Sequence, residues 1–112
     1  MNKDDVLKYL KEAADVTESL KKAGAPGEEH TMWVLTTKDL LKEVFGENSD
    51  FYKQFSGITY EYAGDSRFDS WYYKLEIEKL KKEAYAKGLG QAKGILRSAT
   101  THVERFGLPE KK

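Results

Sequence analysis

Arg97 and His102, separated by four residues near the end of the chain, are the pair whose types and spacing come closest to chemistry. A histidine can move a proton near neutral pH while an arginine fork holds a phosphate, which together would equip a phosphodiester-cleaving site. On an unbroken helix, residues five positions apart point about 140° apart, so the two side chains diverge unless two molecules share the site. Read from the residues alone, the pair is a surface arginine beside a partly buried histidine. His30 and His102 are too few for the common zinc constellations, and neither stands in a His-Glu-x-x-His context. With no cysteine, disulfides, thiolate metal sites and cysteine nucleophiles are excluded. No metal, cofactor or catalytic residue is expected. The run Gly88-Leu89-Gly90-Gln91-Ala92-Lys93-Gly94 approaches a dinucleotide fingerprint, but its third glycine is one residue late and no strand precedes it. Close packing of a helix explains the three glycines better.

Whatever these residues do must be done on a small scaffold. The chain has 112 residues, enough for one modest core, and its 7 Tyr, 5 Phe and 2 Trp are too many aromatics for a disordered segment. Lys plus Arg and Asp plus Glu both number 19, so no global field draws the protein to nucleic acid or to an anionic membrane. No apolar run approaches a bilayer span, and Met1 to Tyr9 lacks the apolar stretch of a signal peptide. The expected location is cytoplasmic.

Apolar residues recur at spacings of three and four in most of the chain, which predicts an all-α fold of four to five helices. Val6, Leu10, Ala13, Ala14, Thr17 and Leu20 draw one stripe over Lys3 to Ala23, closed by Gly24-Ala25-Pro26-Gly27. Trp33, Thr37, Leu41 and Phe45 draw a second. That helix can begin near Glu28 or, with Asp39 completing a capping box, at Thr36; the longer version is preferred. Ser49 is placed to cap a short third helix that carries Phe51, Tyr52 and Phe55. Ser70 to Lys87 reads as helix, although Trp71 to Glu78 also alternates like a strand, and a short strand or hairpin around 58–69 stays open. A final core helix carries Leu89, Ala92, Ile95, Leu96, Ala99, Val103 and Phe106. Leu41, Phe45, Trp33, Ile95, Leu96 and Val103 are the expected core. Residues 1–108 form one domain in this reading, and 109–112 a polar tail or the start of a linker.

Two resemblances bear on function. Arg97 and His102 resemble the Arg-x4-6-His signature of the HEPN ribonucleases, small helical domains in which two subunits build an RNA-cleaving site. More extensively, Trp33, Leu40-Leu41, Val44-Phe45-Gly46-Glu47-Asn48-Ser49, Tyr52 and Phe55, with Gly88-Leu89, Gly94-Ile95-Leu96 and Gly107-Leu108, resemble a helical module of uncharacterised bacterial proteins. That module stands at the N-terminus, ahead of TIR-like or nucleotide-binding effector domains of phage-defence or stress proteins. The resemblance runs from Glu28 to Leu108 and implies position and company, with no active site to carry over.

The expected function is therefore a non-catalytic helical interaction or oligomerisation module, some of whose aromatics stay exposed to meet a protein partner or a second copy. The alternatives are a HEPN-like ribonuclease using Arg97 and His102, and a phage-encoded inhibitor of a bacterial defence system.

Overall fold

The computed structural model describes residues 2–61 and 71–109, and for 71–76 the backbone alone. The described chain is a small all-α bundle of four helices: α1 (Lys3–Ala23), α2 (Glu28–Phe45), α3 (Asp50–Ser56) and α4 (Trp71–Phe106).

Local signals explain most of the boundaries. The Asn2 side chain accepts from the Asp5 amide at 2.8 Å and opens α1, and Gly24 closes it in the left-handed region at φ 79°. α2 takes the longer of its two predicted forms, starting at Glu28 with Glu28 and Glu29 at the positive end of the helix dipole. Ser49 caps α3, its hydroxyl accepting from the Tyr52 amide at 3.2 Å.

Two expectations are corrected in the second half. The stretches read as Ser70 to Lys87 and as a separate final helix are one unbroken helix, α4, of 36 residues, beginning at Trp71. Ser70 itself lies outside the described residues. Gly88 does not divide α4, because a glycine costs a helix only about 1 kcal/mol and here its missing side chain is used. A Cβ on Gly88 would sit 2.7 Å from Tyr60 Cδ1 and 3.0 Å from the Thr59 carbonyl, so the glycine admits the 58–61 segment, where another helix was expected. Gly90 and Gly94 face open space. The strand or hairpin considered for 58–69 is absent from Ile58 to Glu61, which are irregular, and the rest of that stretch lies outside the described residues.

α1 runs antiparallel to the second half of α4, as the Lys11–Glu104 (3.8 Å) and Glu18–Lys93 (2.7 Å) ion pairs show. α2 folds back on α1, and α3 returns the chain to α4. One core joins them: Val6 and Leu10 of α1, Leu41 of α2, Phe55 of α3, and Leu89, Leu96 and Val103 of α4 are all buried. Ala13, Ala14, Ala92 and Ala99 are buried too, and such small side chains let α1 and α4 approach closely. Trp33 joins the core as expected, whereas Phe45 and Ile95 are only half-buried at its margin. Phe106, on the expected core stripe, is 75% exposed because it stands in the last turn of α4.

Candidate functional site

Arg97 and His102, the pair weighed as the alternative, are not brought together within the chain. α4 is continuous through Arg97 and His102, so the two side chains leave the helix about 140° apart. Arg97 is exposed. His102 is half-buried in a ring cluster at one end of the bundle, with centroids 5.1 Å from Phe106, 5.7 Å from Phe51 and 6.1 Å from Phe45. Its ring partners there are three phenylalanines. Among the described residues, no group of three His, Cys, Asp or Glu side chains is arranged to hold a metal ion.

The other histidine lies at the centre of the aromatic core. His30 stands in the first turn of α2 and is buried, with its ring 4.5 Å from that of Tyr60 and 5.2 Å from that of Tyr85. The Tyr85 hydroxyl is 3.1 Å from His30 Nδ1, and donor and acceptor follow the imidazole tautomer. Burial lowers the His30 pKa below its ordinary 6.5 and raises both tyrosine pKa values, so all three groups are held neutral. The Tyr60 hydroxyl is buried with no hydrogen-bond partner. The adjacent cavity, lined by Val34, Leu35, Phe55 and Ile58 among others, measures 280 Å³, at the lower limit of small-molecule pockets. His30 and Tyr60 themselves line this open cavity, and with Tyr85 they join α2 and the 58–61 segment to α4. Nothing in the spacing of His30, Tyr60 and Tyr85 announces it, since they are brought together from three elements.

One turn along α2, the Trp33 indole N–H donates to the Ala13 carbonyl of α1 at 3.0 Å, and its ring meets Phe55 edge to face at 5.5 Å. Trp33 thus forms the floor of a trough of about 970 Å³ between α1 and α2. Its apolar walls are conspicuous: Met32 is 61% exposed, Tyr9 43% and Val16 38%. Glu12 and Asp39 line it as well, with Glu43 and Lys42, and Lys42 turns toward Glu47 at 3.9 Å. Amphipathic helices normally bury such residues. Tyr9 and Val16 fall outside the α1 stripe that packs on α4, and Met32 precedes the buried Trp33, so they make a second apolar face that the fold itself leaves uncovered. An apolar trough with a carboxylate margin is suited to receiving a helix. Among the described residues, no helix is long and apolar enough to cross a membrane. No family model matches the chain, and no curated protein and no solved structure matches it either.

Proposed function

We propose that this protein is a non-catalytic helical interaction module that receives a helix in the trough between α1 and α2. The observation that carries the reading is the exposure of Tyr9, Val16 and Met32 side by side over the Trp33 floor. Three large apolar side chains on one concave face are more than scattered surface residues need, and a docked helix with apolar residues at i, i+3 and i+7 would cover them. Glu12 and Asp39 favour an occupant with lysine or arginine beside that stripe.

The resemblance of residues 28–108 to the N-terminal module of bacterial phage-defence and stress proteins supports a role as the recruiting or assembling part of such a system. The absence of cysteine fits a reducing cytoplasm. Selection of a displayed peptide library on the folded chain tests the docking reading. Amphipathic, basic peptides released by Met32→Glu and Val16→Glu are expected; peptides indifferent to both substitutions, or no enrichment at all, would overturn it.

A further inference from the structure

The chain carries a helix of the chemistry that its own trough selects. Residues 1–61 contain 12 Asp and Glu against 8 Lys, whereas residues 62–112 contain 11 Lys and Arg against 7 Asp and Glu, so a neutral chain is electrically polarised along its length. The acidic half contributes both walls of the trough, and the basic half contributes α4.

α4 is also longer than the helix it packs on. The Lys82 side chain reaches Gly24, at the end of α1, so the turns of α4 before Lys82 run past that end. From Trp71 to Lys81 this overhang is about 16 Å at 1.5 Å per residue. Within the first half of α4, Ile77, Leu80 and Ala84 recur at helical spacing and are half-buried, while Lys79, Lys81, Lys82 and Lys87 are exposed. Lys81 and Lys87 flank the stripe on its two sides.

We propose that the first half of α4 of one copy occupies the α1–α2 trough of a second copy, setting Ile77 and Leu80 against Tyr9, Val16 and Met32, and Lys81 and Lys87 against Glu12 and Asp39. This rests on the docking reading above and names its occupant. The two surfaces differ, so a single contact leaves one trough and one helix end free, and assembly either closes, as a reciprocal dimer or a larger ring, or continues head to tail as an open string. A contact of about three helical turns is small, which makes the association weak, and opposed charges make it sensitive to salt.

Sedimentation velocity on the whole chain, from about 10 μM to about 1 mM, tests this. The expected result is a mass that rises with concentration to a dimer or beyond and falls in about 0.5 M salt. The pair Glu12→Lys with Asp39→Lys should give a monomer, as should Lys81→Glu with Lys87→Glu, each checked for native helicity by circular dichroism. Mixing the two reversed proteins should restore assembly, because each then offers the charge that the other lacks. A chain monomeric throughout, or assembly indifferent to both reversals, would overturn the proposal. If the chain is monomeric yet library peptides still bind at Met32 and Val16, the self-assembly fails alone and the docking reading stands.

Discussion

The Tyr85 hydroxyl stands 3.1 Å from Nδ1 of His30, tying the first turn of α2 to the middle of α4 across 55 positions of sequence. Both groups are buried, so the bond is made between neutral partners in a setting where a charge would be costly.

Stability should therefore depend on pH through His30. Its folded-state pKa lies below the ordinary 6.5 because burial disfavours the imidazolium. Between the two values the unfolded chain binds the extra proton. The contribution is complete above about pH 6.5 and is lost as pH falls toward the folded value, by at most about 1.4 kcal/mol per pH unit. Urea unfolding at about pH 7.5 and about pH 5.5 should show this loss in the wild type and not in His30→Phe. Parallel pH profiles for the two would contradict it. Tyr85→Phe, which strips the imidazole nitrogen of its partner, should cost about 1–3 kcal/mol at neutral pH.

The three glycines of α4 should respond in opposite directions to alanine. Gly88→Ala forces a methyl against the Tyr60 ring and the Thr59 carbonyl, a packing cost of about 1–3 kcal/mol that exceeds the helix-propensity gain of about 1 kcal/mol. Gly90→Ala and Gly94→Ala meet nothing within 4 Å and should each stabilise by up to about 1 kcal/mol. Thermal melts of the three variants make the comparison; a stabilising Gly88→Ala would mean that the 58–61 segment yields.

Ser49→Ala should lose about 1 kcal/mol, because the Tyr52 amide then has no side-chain acceptor, whereas Ser49→Asp should lose almost nothing. Denaturant titration separates the two. Equal losses would show that the hydroxyl is needed for something other than the cap.

No ribonuclease activity is expected from the purified chain. Arg97 faces solvent, and His102 packs among Phe45, Phe51 and Phe106, on directions that do not converge along α4. Structured and unstructured RNA incubated with the protein should remain intact. Cleavage that is abolished in both Arg97→Ala and His102→Ala, with each variant folded, would restore the enzymatic alternative.

The sequence by itself determined the first three helices, because their signals are local. The α1 stripe and its Gly24 stop, the acids that open α2 and the Ser49 cap each act within one or two turns, and these elements appear where the spacing puts them. It also left room for exposed aromatics, of which Tyr9 now lines the trough. Tertiary structure decided what periodicity cannot express, which is whether a face, once formed, finds a partner. Phe106 keeps its place on the α4 stripe but stands in the last turn, where it is left exposed. Phe45 shares a face with Leu41, and Ile95 stands about 100° round α4 from Leu96, yet only Leu41 and Leu96 are fully covered. Gly88 punctuates the sequence and not the helix, since its use depends on Tyr60, which arrives from a segment without helical period. His30, Tyr60 and Tyr85 become one cluster only when three elements meet. The trough exists because α1 spends its strongest stripe on α4 and so meets α2 with its flank, leaving Tyr9 and Val16 uncovered.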